Sequence, residues 1–370
     1  MFKKTAIALA VAGAYGASVP AQAVTVGQDG TNEVYGFVNV TMDYAKEKNG
    51  GNPGNIFLPP GSDGDIHLGD QANSRFGFKG SQDLGNGLTA GYRIEIGMGT
   101  SAYNRGSVRE DAAPWDKRLA YVELKGNFGD LKAGNQWGEL YSYLGYNTVR
   151  SFGFGGSTWY EATRHLNQDR YGLRVSDAVD YTYGSGGYGS DPSTFSLQGI
   201  FDQRNSSGGG TPDQTNATGP NDATLDAYTV AGAATFGGVT VNAAYYGENN
   251  ADGLPSPKLW GIGARFNVTD ALYLGGTFME VDRDNNTDNP QTIDLHADYS
   301  FGGGLSGMLG YGHGKDDTEG DLNSYFLQLA KDLGSGTHLY IEAEHNKRSA
   351  PGGAADPEST VVAAGMIKYF

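Results

Sequence analysis

The stretch "SRFGFKGSQDLGNGL", Ser74 to Leu88, sets a charged or glycine residue against an aromatic at every second position through Arg75, Phe76, Gly77, Phe78 and Lys79. It breaks at Asp83-Leu84-Gly85-Asn86-Gly87 and then alternates again. Side chains of a strand point to opposite faces with period two, so Phe76 and Phe78 leave one face and Arg75 and Lys79 the other. A soluble sheet would bury the phenylalanines under a second layer. The rest of the chain supplies no such layer.

The N-terminus explains why. Lys3 and Lys4 precede a short apolar run, Thr5 to Ala14, and Ala21-Gln22-Ala23 is a small-x-small cleavage site. Residues 1–23 are therefore expected to be a secretory signal peptide, leaving 24–370 as the mature unit. Loss of Lys3 and Lys4 takes the formal charge from −16 to −18. There is no cysteine, which excludes a disulfide scaffold and thiolate sites. No segment approaches the ~18 apolar residues of a membrane helix. Mean hydropathy is −0.45, a value that also suits a membrane β-barrel, whose strands are only half apolar. The acidic balance argues against nucleic acid as a partner.

One theme repeats along the chain: alternating segment, tight turn, alternating segment, longer polar loop. The first segment, Glu33 to Ala45, sets Val34, Gly36, Val38, Val40, Met42 and Tyr44 against Glu33, Tyr35, Phe37, Asn39, Thr41 and Asp43. "TIDLHADYSF" sets Ile293, Leu295, Ala297 and Tyr299 against Asp294, His296 and Asp298. About sixteen such strands can be drawn, each near the ~9–11 residues that cross a membrane at a tilt. Short connections such as "GNFG", "NVTD" and "GSG" alternate with long polar ones at 46–72, 99–116, 203–223, 282–291 and 348–358. Short turns on one side and long loops on the other are the asymmetry of an outer-membrane barrel. The fold expected is all-β, a 16-stranded antiparallel transmembrane β-barrel. Glu139 to about Arg170 is the longest segment without a strand pattern, and a loop of that length is normally functional.

"NSRFGFKGSQDLGNGLTAGYRIEIG", "RLAYVELKGNFGDLKAGNQW", "LYSYLGY…FGFGGST" and the terminal Phe370 resemble the Gram-negative general porin family, most specifically between Ser74 and Thr158. The resemblance implies a passive, water-filled channel for ions and small hydrophilic solutes in the bacterial outer membrane. It implies a homotrimer in contact with lipid and lipopolysaccharide, and an external loop folded inward as a constriction. In that family a basic cluster on the wall faces an acidic cluster on the loop. Arg75 and Arg118 match the family's wall arginines, and Arg170 or Arg174 falls where the next basic residue is expected. Arg93 and Lys132 reach the inner face by alternation.

The departures are equally specific. Phe37 stands where many relatives carry a wall lysine. The loop segment "YNTVRSFGFGGST" has no carboxylate before its glycine pair; it carries Arg150, and Glu161 comes only later. The constriction therefore reads as basic, against an acidic whole, and the local ring weighs more because loop charges are screened beyond ~8–10 Å. Asn135 replaces a basic residue that relatives use at a protomer contact. Glu123 shares a face with Leu119 and Tyr121 and breaks its pattern, which suggests the periplasmic rim or a protomer contact. Lys368 in "MIKYF" stands where relatives favour an aromatic.

No metal, cofactor or catalytic residue is expected. "DRDNNTD", Asp282–Asp288, lacks the glycine and terminal glutamate of a calcium loop. "FGFGGS" has no βαβ unit around it. Glu342 and Glu344 point inward and His345 outward. The alternatives are a substrate-specific channel and an outer-membrane barrel hydrolase; the latter would need Ser, His and Asp to converge in space.

Overall fold

The computed structural model describes residues 24–26, 32–49, 53, 62–99, 103–104, 115–149, 151–166, 173–184, 193–201, 225–249, 256–284 and 288–370. The signal segment 1–23, Arg150, Arg170, the connection 203–223 and most of 99–116 lie outside these residues, as do residues 285–287 of the calcium-like stretch.

Sixteen strands form the wall among the described residues. They are β1 Asn32–Lys48, β2 Arg75–Gly85, β3 Leu88–Met98, β4 Trp115–Gly126, β5 Gly129–Trp137, β6 Arg174–Tyr183, β7 Ser193–Ile200 and β8 Ala227–Phe236. The second half is β9 Val239–Glu248, β10 Lys258–Asn267, β11 Leu272–Asp282, β12 Gln291–Gly302, β13 Leu305–Lys315, β14 Leu322–Asp332, β15 Thr337–Arg348 and β16 Glu358–Tyr369. Each pairs antiparallel with the next, and β16 returns to β1 with Val361 opposite Ala45 and Tyr369 opposite Phe37. Closure leaves no sheet edge, so every strand finds its backbone partners inside the wall.

The opening stretch is a two-residue hairpin. Gly85 pairs with Leu88, and Asn86 and Gly87 take φ of 55° and 76°. Two positive φ values define the type I′ turn, whose twist matches that of the flanking strands. On β1 the expected faces are kept: Asn39, Thr41 and Asp43 are buried, while Val38, Val40, Met42 and Tyr44 are exposed. Phe78 is likewise exposed on the outside, and Phe76 packs edge-on against Trp115 at 5.9 Å.

Two expectations are corrected. The connection 46–72 is not all loop, because Asp63–Asp70 forms a strand that pairs with β1 from Thr41 to Lys46, above the part of β1 that β2 occupies. It extends the wall and turns Ile66 and Leu68 outward. Glu123 is not at odds with its face. Tyr121 lies opposite Arg93 and Glu123 opposite Lys132, so Leu119, Tyr121 and Glu123 share the inner face and Val122 is the exposed residue.

The seam closes over Gly36. Its N–H donates to the Phe370 carbonyl and the Phe370 N–H donates back, both at 3.0 Å. A Cβ on Gly36 would stand 2.7 Å from the Phe370 ring. Gly36→Val is therefore expected to destabilise closure by about 1–3 kcal/mol or more, through overpacking at a site that cannot relax without opening the seam. Loss of the heat-modifiable folded band on gel electrophoresis would report it.

Candidate pore constriction

The inner faces of β1 to β6 carry a basic wall built around one carboxylate. Glu95, 2% exposed, receives Arg118 Nε at 2.7 Å, Arg93 Nη2 at 3.0 Å and Arg75 Nη1 at 3.7 Å. Three guanidinium groups share one carboxylate, so the cluster keeps a formal surplus of two positive charges. Arg75 is fixed further by donating to the carbonyls of Asn73 at 3.1 Å and Ala72 at 2.9 Å, with its guanidinium 4.4 Å over the Phe37 ring. Phe37, in place of a lysine, is thus a platform for the arginine. Tyr35 does the same for Arg93, whose Nε donates to the Tyr35 hydroxyl at 2.6 Å. Arg118 and Arg174 flank Trp137, at 6.0 and 5.6 Å from its ring centre. Lys132 lies 3.5 Å from Asp130 and 3.6 Å from Asp180.

Five of the residues expected on the wall, Arg75, Arg93, Arg118, Lys132 and Arg174, therefore stand on one side of the lumen. Arg118 gets there by a device that alternation does not predict. Glu95 pairs with Leu119 while Ile96 pairs with Lys117, a β-bulge that leaves Arg118 unpaired and turns it inward beside Leu119. Glu95, the hub, was readable as inward from its spacing to Arg93, but nothing in one dimension showed three arginines meeting on it.

The segment after β5 crosses the lumen to the opposite wall. It contains α1 Glu139–Tyr143, a 3₁₀ turn Gly145–Asn147 and α2 Ser157–Thr163. Leu140, Tyr141, Leu144 and Trp159 pack on Ala227, Ala231, Ala244, Leu259 and Met279 of β8 to β11. The inner face is apolar where the segment covers it. Beyond that, three wall carboxylates hold the segment by its backbone. Asp294 on β12 accepts the Val149 N–H at 2.7 Å. Glu342 on β15 accepts the N–H groups of Phe152, Gly153 and Phe154 at 2.9, 3.1 and 3.1 Å and the Gln328 amide at 2.6 Å. Glu344 accepts the Gly155 N–H at 2.8 Å and the Ser157 hydroxyl. Consecutive N–H groups converging on one anion form a backbone nest, which is what "FGFGGS", Phe152–Ser157, builds.

A sequence signal for this docking was overlooked. The inward positions of β13 are Gly310, Gly312 and Gly314, and side chains added there would run into Val149, Thr158 and Glu161. An alternating Gly-x-Gly-x-Gly on an inner face marks close backbone approach.

Glu161 does not face the arginine wall. Its carboxylate is gripped by both terminal nitrogens of Arg348 and by Arg164 Nη2 at 2.8 Å. Arg164 also reaches Asp316 at 3.3 Å, and Asp316 pairs with Arg283. Burial, then Arg164 and Arg283, push the His165 imidazole down to about 4. It is therefore neutral and accepts from Arg283 Nη2 at 3.1 Å. Glu161, His165 and Asp316 each bring one ligand atom within 4.8 Å of the others. Their carboxylate oxygens, however, already accept from guanidinium or backbone N–H groups. The cluster is an ion-pair fastening between α2 and the rim.

A closed antiparallel barrel whose walls are joined by a segment crossing its interior is the architecture of outer-membrane channels. The Gram-negative porin family model matches residues 5–351, and the chain belongs to that family. It is an outer-membrane protein. Residues of the chain are 30% identical over 130 positions to the major outer membrane protein P.IB of Neisseria meningitidis, covering 31% of this chain and 35% of that protein. A 62-residue stretch is 40% identical to P.IB of Neisseria gonorrhoeae, covering 17% of this chain and 16% of that protein. The chain thus matches about a third or less of these curated relatives' length. Among solved structures, the anion-selective porin from Comamonas acidovorans superposes with a TM-score of 0.67 at 18% identity, covering 92% of this chain and 99% of that one. Salmonella typhi OmpF gives 0.65 at 16% identity, covering 94% and 100%. These show the shared fold.

Proposed function

We propose that the barrel is a general diffusion porin, passing ions and small hydrophilic solutes through a lumen that the segment beginning at Glu139 narrows. The observation that carries this reading is the pairing of a basic wall, centred on Arg75, Arg93 and Arg118, with a segment pinned across the interior opposite it. The rim of short turns is periplasmic and the rim of long loops external. The carboxylates on the far wall are engaged by N–H and hydroxyl donors, while the arginine cluster keeps a formal surplus of two positive charges, with Arg118 buried and the Arg75 and Arg93 side chains 20% and 30% exposed. The constriction therefore favours anions, although the chain as a whole is acidic. The outer faces of β1 to β5 and of the Asp63–Asp70 strand, with Met42, Ile66, Leu68, Phe78 and Trp115 exposed, suit a homotrimer contact, and the remaining apolar band suits lipid and lipopolysaccharide.

Planar-bilayer recording under a salt gradient tests the proposal. Stepwise triplet openings with an anion-favouring reversal potential are expected. No conductance, with hydrolysis of a surface substrate, would favour the barrel-hydrolase reading instead. Saturating transport of one solute would favour a substrate-specific channel. Arg75→Ala with Arg118→Ala should move the reversal potential toward cations. Two unit charges ~8 Å from a passing ion in water are worth about 1 kcal/mol together, or about fivefold in the permeability ratio. An unmoved potential would mean that these arginines do not set the filter.

A further inference from the structure

The crossing segment grips only one end of an ionisable column on the far wall. Asp294, His296 and Asp298 follow one another along the inner face of β12, and all three are buried. Asp294 accepts the Val149 N–H at 2.7 Å and the Thr158 hydroxyl at 2.5 Å. Asp298 is faced by the His296 ring instead. His296 Nε2 stands 3.7 Å from the Asp298 carboxylate, and Nδ1 stands 3.9 Å from that of Asp294. Glycines flank the ring in its row across the sheet, Gly275 on β11 and Gly310 on β13. A side chain on Gly275 would run into the imidazole, and one on Gly310 into Val149. The ring therefore lies over bare backbone, one strand from the place where Val149 docks.

The neighbouring elements bring two further ionisable groups. β11 contributes the phenol of Tyr273, opposite Asp298 and with its ring centre 5.9 Å from that of the imidazole. β10 contributes Arg265, next in the row beyond Gly275. Met308, Gly310 and Gly312 of β13, and Val149 and Thr158 of the segment, do not titrate. With no proton on the ring or its partner, the column carries two negative charges and a neutral imidazole. An imidazole and a carboxylate 3.7 Å apart take up protons as a pair. Wherever the first proton sits, it cuts the column's charge from two to one. We propose that His296 and Asp298 form a one-proton switch that sets the charge of the far wall, and with it how strongly the constriction favours anions. The proposal rests on reading the segment as the constriction of a channel. Imidazoles change charge between about pH 5 and 8, so the anion preference rises as pH falls through that range. Burial keeps salt in the lumen from screening the change.

Reversal potentials under a potassium chloride gradient, read from pH 8 to pH 5, test the switch. The assembled parent would be compared with the double variant His296→Asn, Asp298→Asn, whose column keeps the single charge of Asp294 throughout. At pH 8 the variant should favour anions about twofold more, the effect of one unit charge ~10 Å from a passing ion in water. By pH 5 the two proteins should converge. The comparison cancels His67, His338 and the other titrating groups that both proteins share. A gap of the same size at every pH, or no gap, overturns the proposal. If the double variant does not assemble, Asp298→Asn alone replaces it. It should favour anions about twofold more than the parent at pH 8, again by one unit charge, and an unmoved reversal potential overturns the proposal. Conductance without a pH-dependent gap sinks the switch and leaves the channel reading standing. A parent that does not conduct sinks the channel reading, and the switch with it.

Discussion

Glu95→Gln is expected to produce the largest single loss of stability from any lumen substitution. The carboxylate is almost fully buried and holds Arg118, Arg93 and Arg75 together on adjacent strands. Removing one partner of a buried ion pair costs about 3–5 kcal/mol, mostly because the remaining charge is left without compensation. Here three guanidinium groups lose their shared carboxylate, and the negative charge left acting on Arg75 is that of Asp70. The thermal transition of the folded barrel should fall accordingly. Selectivity should move the opposite way from the arginine variants, because deleting a negative charge from a surplus-positive cluster favours anions further. A variant with an unchanged melting profile and a cation-shifted reversal potential would show that Glu95 faces the permeating ions as a free charge.

Glu342→Ala carries the second large effect. Three donors lose their acceptor at once, the Phe152 and Gly153 N–H groups and the Gln328 amide, while the Phe154 N–H keeps the Ser151 hydroxyl at 3.0 Å. Each buried donor left unsatisfied costs about 1–3 kcal/mol, so the tip of the segment should leave the wall while the barrel stays closed. Tryptic cleavage within residues 139–166 and a several-fold rise in open-channel current noise are the measurements. Glu342→Gln, which keeps one acceptor oxygen, should fall between the two. Full protection in the alanine variant would place the docking energy in the aromatic packing of Phe152 on Tyr340, whose rings stack at 5.0 Å.

Strands were legible because one physical rule governs them. Ile293 and Leu295 are exposed while Asp294 and His296 are buried, as alternation requires, and the same holds from Val38 to Tyr44. Reasoning failed where the period is interrupted or the partner is distant. The bulge at Arg118 depends on the register of β3 against β4, which no local pattern fixes. Asp63–Asp70 reads as loop because its charges and glycines obscure two outward apolar residues. Glu161 was a sound candidate for the missing loop carboxylate, but Arg348, 187 residues away, claims it. The inward placement of Arg93 and Lys132 follows from alternation; the meeting of Arg75, Arg93 and Arg118 on Glu95 does not.

The wall carboxylates also bear on how the molecule assembles. Val149 docks on Asp294 and Phe152 on Glu342, across 145 and 190 residues of chain. Contacts of such long sequence separation form late, because the entropy of closing the intervening chain must be met before they contribute. The tip of the crossing segment therefore has no resting place until β12 and β15 are laid down. In a chain that gains its strands in order, the apolar side chains Leu140, Leu144 and Trp159 stay uncovered until β8 to β11 are in place. Premature release from whatever shields them would expose a sticky intermediate. Variants that weaken docking should consequently lower assembly yield before they alter the finished channel.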